Sequence, residues 1–153
     1  MVRVYMNDLQ EFVTDLPLQQ HVFFALVEAT AKLVDVSEKY WQSQGLTGAR
    51  IRILVEIMKE GGTVLPSTLA HKIGVTKANI SLLLSPMEQD GLIRRAPHPT
   101  DGRKWVVSIT GEGQSLLLLH LPENRQRIAE GLQGLDEHEL EQLLLLLAKV
   151  KRA

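Results

Sequence analysis

The sequence predicts a mainly α-helical protein with one small β-hairpin. Three observations predict it: apolar residues at helical spacing in both terminal regions, two short capped segments near the middle, and a turn followed by a strand within residues 98–110. The 153 residues suffice for one domain with a core, and a composition of 44% hydrophobic and 23% charged residues is ordinary for a globular chain.

Composition also excludes several classes of function. Cysteine is absent, which excludes disulfides, thiolate metal sites and cysteine redox sensing. No apolar run reaches the roughly 20 residues of a membrane span, and the N-terminus lacks the apolar core of a signal peptide. The five histidines show no tight metal-binding spacing, and no nucleophile–base pair can be named. We therefore expect a cytoplasmic protein that is not an enzyme and has no metal, no cofactor and no membrane partner.

Charge is distributed unevenly along the chain, whose formal net charge is −1. Between Leu69 and Val107, six cations and three anions give a net charge of +3, so the rest of the chain carries −4. A basic face on an acidic body suits a nucleic-acid partner, although chance clustering on a solvated surface would give the same count.

Residues 20–42 predict a long helix, because their apolar side chains alternate in steps of four and three. Gly45 is placed to end this helix. Thr47 is a good cap for the next helix, with Leu46 and Ile51 spaced as a hydrophobic staple, and that helix is expected to end at residues 60–62.

The C-terminal region is also predicted to be helical, from the cap Thr110 onward and again after Gly134. Five consecutive leucines, Leu143 to Leu147, occupy every side of a helix, which must then be buried all round. A homodimer with interdigitating terminal regions would bury such helices at both ends of the chain. A thick monomeric core is the alternative.

Two short helices meet at a tight turn in the middle of the chain. Ser67 is expected to cap the first and Thr76 the second, with Gly74 permitting a positive φ between them. The small Ala70, the turn and the apolar Ile80 have the mutual spacing of a helix-turn-helix. Predicted strands at 91–95 and 105–109 follow. A helix-turn-helix followed by a two-stranded hairpin is a winged helix.

The run LAHKIGVTKANISLLLSPMEQDGLIRRAPHPTDGRKWVVSIT resembles the DNA-binding core of the MarR family of bacterial transcription regulators. Its GLIRR, DGR and closing SIT are similar to the family's GL-x-x-R, D-x-R and L-T signatures, and the flanking helices match in pattern. The resemblance implies a homodimer that binds a pseudopalindromic operator on double-stranded DNA, usually represses transcription, and is often released by a small, frequently phenolic, effector.

We accordingly expect a single domain, 1–153, in which a winged-helix DNA-binding core, 47–110, lies between helical dimerisation regions, 1–45 and 111–153. The competing interpretation is a winged helix used for protein–protein assembly without an operator. Phe24, Tyr40 and Trp41 are candidates for an effector pocket between the dimer helices and the winged helix, with a place in the core as the commoner alternative.

The face of the second helix opposite its buried stripe is the expected recognition surface. Asn79 can bond adenine edges, and Ala78 and Leu82 can touch thymine methyl groups. Phosphate contacts are expected at the start of the helix, and Leu82 can equally be an exposed bystander. The full set of expected DNA-binding residues is Thr76, Lys77, Ala78, Asn79, Ser81, Leu82, Ser85, Arg94, Arg95, Arg103 and Lys104.

The hairpin tip carries two cations and a neighbouring carboxylate. The resemblance implies that Arg103 enters the minor groove, whose narrow A·T-rich stretches attract arginine. We expect Asp101 to orient a guanidinium, with Arg103, Arg94 and Arg95 as candidate partners. The plain alternative is that Asp101 only forms the turn, and both roles can hold together.

Pro86 departs from the family's pattern of one continuous recognition helix. Proline cannot donate the backbone bond toward Leu82, and it disfavours helix at Ser85. Residues 85–88, SPME, also have the form of a helix start, with a serine cap and a glutamate for a capping box. We therefore expect a kink or break at Ser85, which leaves its reach toward DNA open.

Overall fold

The structure, a computed structural model, describes the backbone of residues 2–152 and the side chains of residues 6–152. Helices predominate, as predicted, beside one small antiparallel sheet. The elements are α1 Val2–Thr14, α2 Leu18–Ser43, α3 Gly48–Lys59, β1 Thr63–Val64, α4 Pro66–Ile73, α5 Lys77–Gln89, β2 Ile93–Pro97, β3 Trp105–Ile109, α6 Gly111–Gly131 and α7 Glu137–Arg152. The chain divides into two compact units, Met1–Val36 and Ser37–Ala153.

The first unit consists of α1 and the greater part of α2, and it exposes most of its large apolar side chains. Phe12 is 78% exposed and Phe23 is 58% exposed. The others are Met6, Leu9, Val13, Leu18, Val22, Phe24, Val27 and Val34. These helices therefore carry an apolar surface that the described part of the chain leaves open to solvent.

The second unit is built around one hydrophobic core in which α3, α4 and α5 pack against the sheet. The residues buried most completely are Ile53, Leu54, Ile57, Leu69, Ile80, Leu84, Met87, Ile93 and Val107. Tyr40 and Trp41, in the last turns of α2, belong to the same core. This packing fixes α5 and the hairpin relative to each other.

The helix-turn-helix forms at α4 and α5 as predicted. Gly74 adopts a φ of 82°, and Thr76 Oγ1 accepts the N–H of Asn79 at 3.2 Å. The expectation that Ser67 caps α4 is wrong, because Leu65 occupies the N-cap position without a side-chain cap and Pro66 is the first helical residue. Proline favours an extended residue before it and needs no hydrogen bond at the first helical position, so it moves the helix start ahead of Ser67.

The expected break at Ser85 is also wrong, since α5 is one helix from Lys77 to Gln89 with Pro86 inside it, and the expected kink there stays a prediction. Ser85 Oγ donates to the carbonyl of Ser81 at 3.1 Å instead of capping a new helix. Burial of Leu84 and Met87 on either side of the proline holds the chain in helical geometry.

The small sheet has three strands in the order β1-β3-β2, all antiparallel, where the sequence predicted two. In the additional strand, β1, Thr63 pairs with Ser108 and Val64 pairs with Val107. A strand of two residues is too short to predict from its sequence pattern. β2 and β3 form the hairpin, with Arg95 opposite Val107 and Pro97 opposite Trp105. We call the segment from β2 through β3 the wing.

The C-terminal helices begin at side-chain caps. Thr110 Oγ1 accepts the N–H of Gly113 at 3.1 Å, as predicted, and Asp136 and Glu139 bond each other's backbone N–H in a reciprocal capping box. No residue of α7 is buried in the described chain, and Leu144 is 69% exposed. The single chain therefore does not surround this helix. Among the described residues, no helix is long and apolar enough to cross a membrane.

Candidate nucleic-acid interface

The outer face of α5 presents the residues that were expected to read bases. Ala78, Asn79 and Ser85 are exposed, Leu82 is 73% exposed, and Ser81 is half-buried. The opposite face is anchored in the core by a buried stripe of three residues, Ile80, Leu84 and Met87. Because that face packs in the core, the exposed row of small, amide and apolar side chains points away from it.

At the tip of the wing, Asp101 pairs with Arg103, one of the three partners left open by the sequence. Asp101 Oδ1 accepts the backbone N–H of Arg103 at 3.1 Å and its side-chain Nε–H at 3.2 Å. The hydrogen bond from the Arg103 side chain, followed by that from its backbone, lowers the pKa of the Asp101 carboxyl below its ordinary value. The side chain of Arg103 is nevertheless 92% exposed, so the pair leaves most of the guanidinium free to contact another molecule.

A groove of about 340 Å³ lies between α5 and the wing. Lys77 and Ser81 line it from the helix, and Arg103 and Lys104 line it from the wing. The first turn of α4 closes one end and contributes the exposed hydroxyl of Ser67. Three cations and two hydroxyl groups around one space make it a candidate site for an anion such as a backbone phosphate.

Arg95 is bound within the protein, although the sequence placed it among the DNA-binding candidates. Its guanidinium lies 4.7 Å from the ring centroid of Trp105, and one amino group donates to Ser85 Oγ at 3.0 Å. Its Nε is 3.5 Å from Glu88 Oε2, which also accepts the backbone N–H of Arg95 at 3.2 Å. Arg95 therefore joins the C-terminal half of α5 to the wing.

The two remaining candidates differ in position. Arg94 is exposed on β2, and because successive residues of a strand point to opposite faces, its side chain leaves the sheet on the side away from Arg95. Thr76 lies beside Lys77 at the start of α5 with its oxygen already accepting the Asn79 N–H, so its hydroxyl proton remains available for donation. The groove thus brings together Lys77, Ser81, Arg103 and Lys104, whereas Arg94 lies apart.

Sequence reasoning missed Ser67, Glu88 and Trp105 as parts of this surface. Ser67 was treated only as a cap, and Glu88 only as part of a capping box. Trp105 was assigned to a strand without a role. The hairpin register could have indicated it, because Arg95 and Trp105 are diagonal neighbours across the strands, within reach of long side chains.

The aromatic residues proposed for an effector pocket are placed in two different environments. Tyr40 and Trp41 are 8% and 2% exposed in the core, where the Tyr40 hydroxyl hydrogen-bonds His120 Nδ1 at 3.1 Å. Phe24 is 48% exposed in the other unit and packs edge-on against Phe23. The core alternative is therefore the one that the structure bears out for Tyr40 and Trp41.

A second groove, of about 470 Å³, lies between α3 and α6. Its walls are mainly apolar, and two cations and one amide lie among them. The lining residues are Val55, Met58, Lys59, Gln114, Leu117, Leu118, Leu121, Pro122 and Arg125. An apolar space with a few polar groups has the composition of a small-molecule site.

Comparison with known proteins agrees with this architecture. Residues 44–104 match the sequence model of the MarR family. The HTH-type transcriptional repressor YetL of Bacillus subtilis is 28% identical over 127 residues, which cover 82% of this chain and 76% of that protein.

Two solved structures share the fold. AbsC, a MarR family transcriptional regulator from Streptomyces coelicolor, gives a TM-score of 0.82 at 24% identity, covering 90% of this chain and 95% of that chain. The organohalide-sensing transcriptional regulator RdhR-CbdbA1625 in its 2,4-dichlorophenol-bound form gives a TM-score of 0.81 at 20% identity. The match covers 92% of this chain and 83% of that chain.

The family match spans the helix-turn-helix and most of the wing, and the relatives extend the likeness into both flanking helical regions. It is a family of transcription regulators and not of enzymes. With the winged helix seen directly in the fold, this chain is similar to the MarR family of winged-helix DNA-binding transcription regulators, through the family model over residues 44–104 and through relatives over most of its length.

Proposed function

We propose that two copies of this protein bind a pseudopalindromic operator on double-stranded DNA and repress transcription there. The observation that carries the proposal is the groove between α5 and the wing, where Lys77, Arg103 and Lys104 converge with the hydroxyl groups of Ser67 and Ser81. Phosphate contacts of this kind position a protein on the duplex and supply most of its non-specific affinity.

Sequence reading is assigned to the exposed face of α5, which is narrow enough to enter the major groove. The amide of Asn79 suits the N6 and N7 edge of adenine, and the methyl groups of Ala78 and Leu82 suit thymine. Lys77 and Thr76, at the start of the helix, suit phosphates on the groove edge. Ser85 is a weaker candidate, because its hydroxyl already bonds Ser81 and Arg95.

The wing is assigned to the minor groove beside it. Arg103 projects from the tip with its guanidinium mostly exposed, held at one edge by Asp101. Arginine favours narrow, A·T-rich minor grooves because their negative potential is enhanced. Lys104 adds a second cation toward the phosphates.

Dimerisation is assigned to the helical regions on either side of the winged-helix core, 1–45 and 111–153 around 47–110. Large exposed apolar side chains lie in both regions, such as Phe12 in α1 and Leu144 in α7. Monomeric proteins seldom expose apolar surface on this scale, and a second copy would cover it with a self-complementary interface. A dimer also matches a two-fold operator.

The test is selection of duplex DNA from a library with random inserts of about 30 base pairs, long enough for two half-sites a helical turn apart. We expect an enriched inverted repeat, and binding that weakens by at least tenfold between about 50 and 200 mM salt. No enrichment, together with binding that ignores salt, would favour the alternative, an assembly module that has a winged helix and no operator. Reporter transcription from the selected site distinguishes repression from activation.

We further propose that a small aromatic or phenolic effector binds the groove between α3 and α6. The apolar walls suit a ring, and Lys59 and Arg125 suit a carboxylate or phenolate. Lys59 is 3.2 Å from Glu56 with its side chain 62% exposed, so it can turn toward a ligand. RdhR, of the same fold, has been crystallised with 2,4-dichlorophenol, which supports a ligand of this class.

A screen of small carboxylates and phenols for release of the selected duplex tests this effector proposal. For a ligand that releases DNA, Leu117→Ala and Arg125→Ala should each weaken release without weakening DNA binding in its absence. Phe24→Ala is the matched control from the earlier candidate set. If Phe24→Ala abolishes release and the groove variants do not, the effector lies elsewhere.

A further inference from the structure

The imidazole of His98 closes the tip of the wing. Its Nδ1 lies 3.2 Å from the backbone nitrogen of Thr100 and 3.1 Å from that of Asp101, with Thr100 Oγ1 at 3.3 Å. The backbone adds bonds from the N–H of His98 to the Lys104 carbonyl and from the N–H of Lys104 to the Asp101 carbonyl, both 3.0 Å. The side chain of His98 therefore accepts hydrogen bonds from the backbone N–H groups of Thr100 and Asp101, as the side chains of asparagine and aspartate do in Asx turns.

A backbone N–H can only donate, so Nδ1 must be the acceptor in both amide bonds. This requires a neutral imidazole whose proton is on Nε2. A protonated imidazole has two N–H donors and no lone pair to offer, and both amide bonds are then lost. The wing tip is thus compatible with one protonation state and one tautomer of this ring.

The contacts of His98 continue to the DNA-facing arginine. His98 Nδ1 accepts the backbone N–H of Asp101. The side-chain Oδ1 of Asp101 in turn accepts the backbone N–H and the side-chain Nε–H of Arg103. The chain of contacts from His98 through Asp101 to Arg103 spans six residues and lies wholly within the turn.

We propose that His98 is a positioning residue for operator binding: its neutral ring orders the wing tip so that Asp101 presents the Arg103 guanidinium, and protonation of the ring releases the tip. This inference rests on the DNA-binding function proposed above. It concerns how Arg103 is held, and it adds no contact between His98 and DNA.

The charges near the ring determine what acid does. The Asp101 carboxylate lies close to the His98 ring, and Arg103 and Lys104 follow on the same hairpin. Because Arg103 lowers the pKa of Asp101, that carboxylate stays ionised between about pH 5 and pH 8, where histidines change charge. Once protonated, the ring becomes a donor that competes with Arg103 for Asp101.

This mechanism makes a prediction opposite in sign to simple electrostatics. A histidine that gains a proton near phosphates adds a cation and should tighten DNA binding. Loss of the amide bonds should instead weaken it as the pH falls.

The experiment uses the full chain and the duplex selected at about pH 8, with affinities measured at about pH 8 and about pH 5.5 at constant ionic strength. His98→Asn keeps a side-chain acceptor but cannot titrate, and His98→Ala removes the acceptor. His71→Asn, on the exposed surface of α4, is the matched control for a histidine outside the wing. Thermal melts followed by circular dichroism establish that each variant is folded.

We expect the parent and His71→Asn to lose about tenfold in affinity between the two pH values, the size of one or two lost hydrogen bonds. His98→Asn should stay within about threefold of the parent at the higher pH and show no loss at the lower one. His98→Ala should be weak at both. Tighter binding by the parent in acid, or unchanged binding by folded His98→Ala, overturns the inference and leaves operator binding in place.

A second measurement does not depend on DNA. Nitrogen-15 NMR of the imidazole distinguishes its tautomers, and we expect the form protonated at Nε2. Hydrogen exchange should show the backbone amides of Thr100 and Asp101 protected at the higher pH and unprotected at the lower pH. A ring protonated at Nδ1 overturns the inference even if the duplex binds. Failure of the library selection itself would overturn the proposed function instead, and the tautomer would still decide whether His98 holds the turn.

Discussion

Asp101 and Arg103 form a closed pair in which one carboxylate oxygen accepts both the backbone and the side-chain N–H of the arginine, at 3.1 and 3.2 Å. The turn-forming and orienting roles that the sequence left open for Asp101 therefore coincide in one atom. The backbone bond shapes the turn, and the side-chain bond restricts the guanidinium.

We predict that Asp101→Asn weakens operator binding although it removes a negative charge from a DNA-facing surface. The neutral amide oxygen of asparagine holds the guanidinium less strongly than a carboxylate does, so more of its freedom is lost on association, at a cost of about threefold to tenfold in affinity. Titrations against one duplex at several salt concentrations measure this. Tighter binding by Asp101→Asn would mean that the wing acts only as a patch of positive charge.

The identity of the cation at the tip can be tested in the same titrations. Arg103→Ala should weaken binding and lower the salt slope by about one unit if the arginine neutralises one phosphate. Arg103→Lys should recover the slope but not the affinity, because lysine lacks the planar fork. A lysine variant indistinguishable from the parent contradicts a specific role for the guanidinium.

Arg95→Ala should destabilise the protein as well as weaken DNA binding, because Arg95 joins α5 to the wing through Ser85, Glu88 and Trp105. Loss of the ring contact and the bond to Ser85 should reduce the free energy of unfolding by about 1–2 kcal/mol. Urea denaturation and operator titrations measure the two effects. The salt slope should stay unchanged, whereas a slope lowered by about one unit would show that Arg95 contacts phosphate. Arg94→Ala is the matched control for stability.

Pro86→Ala should stabilise the protein, because alanine restores the donor toward the Leu82 carbonyl within an already continuous helix. We expect a gain of roughly 1–3 kcal/mol in urea denaturation, since proline is about 3 kcal/mol less favourable than alanine inside a helix. Operator affinity should change by less than about threefold. Pro122→Ala, the equivalent change within α6, controls for the effect of helix repair alone. A loss of DNA binding confined to Pro86→Ala would show that the proline shapes the recognition surface.

The protein should be dimeric in solution at micromolar concentration, because its terminal helices expose large apolar side chains such as Phe12 and Leu144. Light scattering should give the mass of two chains. Replacing Leu144 and Leu147 together with glutamate should produce the mass of one chain and abolish tight operator binding, since a single winged helix reads only a half-site. Gln133→Glu, in the exposed turn between α6 and α7, should change neither the mass in solution nor operator binding. A parent mass of one chain would contradict the dimer.

Local backbone features could be predicted from the sequence because each depends on partners only a few residues away. Thr47, Thr76 and Thr110 cap helices by accepting an N–H three residues later, and Gly74 takes the positive φ between two helices. Apolar spacing likewise predicted the buried stripe of α5. The residues of the recognition face followed from that stripe, because the two faces of a helix determine each other.

Tertiary contacts decided the features for which two local patterns competed. SPME has the form of a helix start, but the core holds Leu84 and Met87 on either side of the proline, and Arg95 binds Ser85 from the wing. Arg95 was a candidate DNA contact in the sequence, and the folded hairpin places it diagonally across from Trp105, whose ring it contacts. The sequence by itself determined caps, turns and helix faces, because the interactions that stabilise them connect residues only a few positions apart along the chain. Only the tertiary structure decided which cations are bound to another element of the protein and which remain exposed, because that depends on partners brought together from separate elements.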